Sequence, residues 1–110
     1  IGWDKHPPYI ILKKDTVMNQ IENDVETYLY KQAKKHDILC YKFTAPSTRG
    51  VPDRILIGNG KTIFLELKRP GEKPRKLQFA IHKRMREHGA TVFVADTKEL
   101  VNDIIDFILQ

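Results

Sequence analysis

The four residues Gly58-Asn59-Gly60-Lys61 constrain this chain more than any other stretch. They separate two strand-like runs, Asp53 to Ile57 and Thr62 to Lys68. Asn-Gly at the centre is the preferred two-residue hairpin turn, because both central positions need positive φ. A loop of that length sets the register: Gly58 faces Lys61, and every facing pair further out has numbers that sum to 119. Asp53 then lies directly across from Glu66, with Cβ atoms ~5 Å apart on one face of the sheet. Lys68, two residues beyond Glu66, joins that face, while Leu65 and Leu67 point to the other. A single β-bulge would shift the register and separate the two acids.

The rest of the chain supplies elements to pack on this hairpin. From about 17 to 36, Ile21, Val25, Leu29 and Ala33 recur every four residues, beside an acidic line of Glu22 and Glu26. That spacing predicts a helix. Ile38 to Thr44 is rich in β-branched and aromatic residues and reads as a strand; Ala45 to Gly50 reads as a loop. After the loop Pro70 to Pro74, residues 76–88 form a helical pattern with Leu77, Ile81, Met85 and His88 on one side and Gly89 as its stop. Thr91 to Ala95 is a short strand. Asp96 with Glu99 resembles a capping box that opens a last helix striped by Leu100, Val101, Ile104, Ile105 and Ile108. The order is α-β-β-β-α-β-α. A β-α-β crossover after the hairpin implies a mixed α/β fold, with a parallel strand pair joined to an antiparallel one in a four-stranded sheet flanked by helices.

At 110 residues the chain is one domain's worth. Residues 1–15, with Pro7-Pro8 and a short apolar patch, read as an N-terminal arm, and residues 16–110 as a single domain. No apolar run approaches the ~18 residues of a membrane span, and one cysteine, Cys40, excludes an internal disulfide framework and a multi-cysteine zinc site. A reducing cytoplasm is the simplest compartment. The charge is uneven: residues 68–88 carry eight basic and two acidic side chains, whereas residues 89–110 carry one Lys and four acids. Such a basic stretch suits a polyanion, although a solvated helix face explains the charge equally well.

Two carboxylates face to face repel. A divalent cation bound between them turns that liability into a ligand pair, and oxygen donors suit magnesium or manganese. The alternative is a solvated hairpin face with a surface Glu–Lys pair; the opposed Asp53 and the turn of correct length weigh against it. The histidines, His6, His36, His82 and His88, form no metal-ligand spacing and read as ordinary positions. Cys40 reads as a small apolar strand residue.

These residues also carry a resemblance. Gly50-Val51-Pro52-Asp53, an apolar strand, and Leu65-Glu66-Leu67-Lys68 resemble the PD-(D/E)XK nuclease signature, and more closely the virus-type replication-repair nuclease (VRR-NUC) domain. That family's order is a helix with Glu, an Arg-Gly-Val-Pro-Asp segment, a Glu-x-Lys strand, a Gln-bearing helix and a Gly-then-apolar strand. Here these fall at Glu26, Arg49 to Asp53, Glu66 to Lys68, Gln78, and Gly89 to Val94, so the resemblance spans roughly residues 20–105. It implies an αβββαβ core and a metal held by Asp53, Glu66 and the backbone carbonyl of Leu67. Glu26 would be a further ligand directly or through water, Lys68 would stand near the attacking water and phosphate, and Gln78 would support the site. One departure is Thr48-Arg49, where family members often carry two basic residues before the glycine.

The resemblance further implies a magnesium- or manganese-dependent DNA endonuclease acting on branched intermediates such as four-way (Holliday) junctions, in a phage or bacterial setting, as a homodimer. Lys42, Arg49, Arg54, Arg69, Lys73, Arg75 and Lys76 are candidate phosphate contacts by their clustering. Two other functions compete: a non-catalytic nucleic-acid-binding module on a nuclease-like scaffold, and an RNA-directed nuclease.

Overall fold

The structure is a computed structural model that describes the backbone of residues 14–110 and the side chains of residues 24–110. The expected arm therefore lies almost wholly outside the described residues, as do the side chains of Ile21 and Glu22. The elements run α1 (Lys14–Lys35), β1 (Leu39–Lys42), β2 (Arg54–Gly58), β3 (Lys61–Leu67), α2 (Lys76–Glu87), β4 (Val92–Ala95) and α3 (Lys98–Leu109), in the anticipated order. The four strands form one sheet in the order β1-β2-β3-β4. β1–β2 and β2–β3 are antiparallel, and β3–β4, joined by the α2 crossover, are parallel.

The hairpin register is the one the turn dictates. Gly58 faces Lys61, and the pairing runs outward to Arg54 opposite Leu65. Asn59 and Gly60 both hold positive φ, 49° and 78°, as a type I′ turn requires. Asn59 does more than turn the chain. Its amide donates to the carbonyls of Ile108 and Gln110 at 2.9 and 3.1 Å, and Lys61 Nζ donates to the same two carbonyls. The hairpin tip thereby caps the end of α3 and places a cation where the helix dipole favours one.

One face of the sheet is the apolar core. Leu56, Ile63, Leu65 and Leu67 pack with Val25, Leu29 and Ala33 of α1 and with Val101, Ile104, Ile105 and Ile108 of α3. These side chains follow the predicted helical stripes and the strand alternation, the pattern that buries one face of each element.

Several element bounds shift by a residue or two from the sequence expectation, and three departures have a clear cause. Ile38 is not in the strand, because its N–H is spent on Ala33 O (2.8 Å) in closing α1, with Asp37 at φ 56°. The cap of α3 is Thr97, whose side chain accepts from Leu100 N; Asp96 instead accepts the Gly71 N–H at 2.7 Å and ties β4 to the loop before α2. The inward face of α2 is also rotated from the expected stripe. His82 is its one buried residue among those described, while Leu77 is 51% exposed and His88 is exposed. The reason lies beneath the helix: α2 covers the polar face of β3, so polar groups turn inward.

Candidate active site

Alternation along β3 puts Ile63, Leu65 and Leu67 into the core and leaves Glu66, with Lys68 just beyond the strand, on the side covered by α2. Both polar residues are nonetheless buried, at 5% and 8% exposure. Groups so buried need partners. Lys68 Nζ lies 3.3 Å from Glu66 Oε2 and donates to Gln78 Oε1 at 2.8 Å. Gln78 Nε2 donates to Glu66 Oε2 at 3.0 Å. A side-chain amide carries an acceptor and a donor on separate atoms, so Gln78 can accept from the lysine and donate to the carboxylate at once. The same Gln78 oxygen accepts the Arg75 N–H at 2.9 Å, so the residue also closes the first turn of α2.

Asp53 stands just outside β2, across from Glu66 in the extended register. One carboxylate oxygen accepts the Leu67 N–H at 3.1 Å, and the other lies 3.1 Å from Arg54 Nη1. Burial, and then the facing charge of Glu66, push the Asp53 carboxyl up to about 6, against the opposing pull of the Leu67 N–H. Charge repulsion across the hairpin is therefore present, but the chain answers it itself with a cation beside each acid: Arg54 at Asp53 and Lys68 at Glu66. The repulsion that the sequence assigned to a bound dication is thus met in part by the chain's own cations.

One atom has no such answer. Glu66 Oε1 is buried with no hydrogen-bond partner among the described residues. An orphaned carboxylate oxygen beside a second carboxylate fits a hard cation. Asp53, Glu66 and Leu67, with Lys68 and Gln78, line a cleft of about 310 Å³ whose rim carries Arg69, Glu72 and Arg75. Among the described residues no group of three or more His, Cys, Asp or Glu gathers for a metal, and the cleft itself offers the two carboxylates Asp53 and Glu66.

No protein-family model matches the chain. Individual proteins do. It is 42% identical over 80 residues to "Putative nuclease p44" of Acyrthosiphon pisum secondary endosymbiont phage 1, covering 72% of this chain and 86% of that protein. Its structure superposes on a solved "VRR_NUC domain" with a TM-score of 0.71 and 28% identity, over 78% of this chain and 95% of the other. The chain belongs to the VRR-NUC nuclease family.

Within this VRR-NUC domain Asp53, Glu66, Leu67, Lys68 and Gln78 come together, and Glu26 takes a different position. The alternation that sends Asp53 toward α2 sends Arg54 to the core face, beneath α1. There Arg54 is 6% exposed, forms an ion pair with Glu26 and lies 5.7 Å from the centre of the Tyr30 ring. Arg54 Nη1 also donates to the Asp53 carbonyl at 3.0 Å. Glu26 thus reaches the carboxylate pair through Arg54. The expectation of an exposed phosphate contact at Arg54 does not fit its burial, whereas Lys42, Arg49, Lys73, Arg75 and Lys76 are exposed and Arg69 is half-buried.

Three neighbours of the site escaped sequence reasoning. Tyr30 follows Glu26 by one helical turn, and its phenol is pushed up by burial and then by the Cys40 and Asp53 charges. Cys40 is half-buried, its thiol pushed up to about 11 by burial and the Asp53 charge. His82 is 1% exposed; burial, then Arg86 and Lys68, lower its pKa, against a hydrogen bond with the Gly50 backbone. Only the Glu26–Tyr30 spacing was available as a signal in the sequence. The other two depend on which elements meet.

Gly50 is the meeting point. It holds φ 90°, and a Cβ there would stand 3.1 Å from Leu77 O and 3.3 Å from Gln78 Cα. The loop before Asp53 can therefore press directly on the α2 backbone at Gln78, which fixes the helix over the strands.

Proposed function

We propose that this domain is a divalent-metal-dependent endonuclease that hydrolyses DNA phosphodiester bonds, with branched replication or repair intermediates such as four-way junctions as substrates. The observation that carries this is the opposed pair Asp53 and Glu66, with one Glu66 oxygen buried and unpartnered at the floor of a cleft rimmed by basic residues. Asp53, Glu66 and the Leu67 carbonyl would hold the ion. Magnesium or manganese bound there supplies an acidified water and offsets the charge that builds on phosphorus.

The chain's own residues do the rest. Glu66 is oriented by Lys68 and Gln78 through the oxygen that does not face the ion. Lys68 brings a compact cation on the same face as both acids, where it stabilises the phosphoryl oxygens as water adds and the bond to the leaving oxygen breaks. Arg54, braced by Glu26, keeps Asp53 directed. The exposed cations Arg49, Lys73, Arg75 and Lys76 hold the flanking phosphates. Two symmetric cuts in a junction require two sites, so the working unit is a homodimer acting in the cytoplasm.

The deciding experiment incubates the protein with labelled four-way junctions, linear duplex DNA and matched RNA, in magnesium, in manganese and in chelator. Metal-dependent cutting of DNA, fastest on junctions, is the expected result. Tight DNA binding with no cutting under any metal would replace this function with a binding module, and faster cutting of RNA would reassign the substrate.

A further inference from the structure

The α2 surface carries an apolar residue that neither the core nor the carboxylate site uses. Phe79 is 60% exposed, the most exposed of the large hydrophobic residues described. Burial cannot account for a phenyl ring left in water beside Gln78. Its surroundings supply a reason. Residues four apart share a helix face, so Phe79 and Lys83 lie in one line along α2, about 6 Å apart along the axis, and Arg75, the residue that caps the helix, stands at its cleft end. Arg75 lines the cleft at the carboxylates, and Arg75 and Lys83 are both exposed. The line is cation, aromatic ring, cation, and it starts at the cleft.

We infer that Phe79 is a stacking platform for an unpaired base of the nucleic-acid substrate, with Arg75 and Lys83 holding the phosphates on either side of that base. Every base has a π face, and stacking on an exposed ring needs no base-specific contact. A base still stacked in intact duplex cannot reach the ring. The platform therefore selects substrates with an unpaired or splayed nucleotide next to the scissile bond, as at a flap or at the opened branch point of a junction, over linear duplex. A second copy of this chain fits the same patch less well, because two such faces would bring Arg75 and Lys83 against their own like charges. The inference deepens the nuclease function proposed above and rests on it.

The test compares wild type, Phe79→Ala and Phe79→Trp on two DNAs of one sequence, fully paired or with a short unpaired run beside the cut, and reads the ratio of kcat/KM values. In parallel, single-stranded DNA carrying 2-aminopurine is titrated with each protein in chelator, where stacking quenches the fluorescence. Phe79→Ala should lower the unpaired-to-paired ratio about tenfold and remove the quench, and Phe79→Trp should keep both. An unchanged ratio and quench in Phe79→Ala would overturn the platform, and so would a Trp variant that behaves like Ala. Loss of a sedimenting dimer in Phe79→Ala with the ratio intact would also overturn it and give the patch to a second copy. If wild type cuts neither DNA, the nuclease function fails on its own, and the quench still decides the platform.

Discussion

The two halves of the cleft are built by opposite rules. Asp53, Glu66 and Lys68 stand on or beside central strands whose other face is the apolar core, and a two-residue turn locks their register. Gln78 and Lys76 ride on α2 and Arg75 caps it; the helix buries only His82 and leaves Leu77 and Phe79 in solvent. The strand half is held by many neighbours. The helix half is held by the Gly50 contact, the amide of Gln78 and Arg86, which donates to the Val92 carbonyl of β4 at 2.7 Å. In the proposed nuclease the groups that hold the ion would sit on the rigid half, and those that meet a large substrate on the exposed one.

Breaking the strand half should have the largest effect. Glu66→Ala removes half of the carboxylate pair and should lower metal-dependent cleavage by ~10³-fold, with DNA affinity in chelator nearly unchanged. Single-turnover rates beside a binding titration check this, and a wild-type rate would remove Glu66 from the chemistry.

Next comes the brace beneath that half. Glu26→Ala leaves Arg54, at 6% exposure, without its α1 carboxylate. A fully buried pair broken on one side costs about 3–5 kcal/mol; with the Glu26 side chain 28% exposed, about 2 kcal/mol is expected in urea unfolding. A change below about 0.5 kcal/mol would mean that the brace is ornamental to stability.

The helix half is broken at Gly50. Gly50→Ala meets both an unfavourable φ of 90° and the α2 backbone, and should cost about 1–3 kcal/mol. It should also lower kcat, because Gln78 loses its position over Glu66 and Lys68. If stability falls and kcat holds, the helix is less tightly coupled to the site than its contacts indicate.

The smallest effect sharpens the comparison through pH. The folded-state pKa of Asp53 is raised from 3.8 to about 6, so the native protein binds more protons than the unfolded chain between those values. This group's contribution to metal-free stability is therefore fully present below about pH 4 and lost as pH rises through 6. Magnesium, which needs the carboxylate, should bind more tightly through the same interval. Melting temperatures with and without magnesium from pH 4.5 to 7.5 should converge at the acid end, and parallel curves would separate Asp53 from the ion.

Much of this was legible in the chain before any coordinates. The Asn59-Gly60 turn dictated the strand pairing, and alternation then assigned Leu65 and Leu67 to the core and Glu66 to the opposite face. The same alternation also placed Arg54 under α1, where an arginine requires a carboxylate, so that burial could have been read from the register. The face of α2 could not. Helical periodicity assumes an apolar floor, whereas Glu66 and Lys68 draw Gln78 inward and the Gly50 backbone holds His82.

Local rules alone set the elements, their order, the hairpin register and the carboxylate pair, because turn chemistry and strand alternation act over a few residues. Only the folded structure decided that Glu26 meets Arg54, that Gly50 presses on Gln78, and that Glu66 Oε1 is left without a partner. Those contacts join residues distant in the chain, and their energies depend on burial, which no segment possesses until the others cover it.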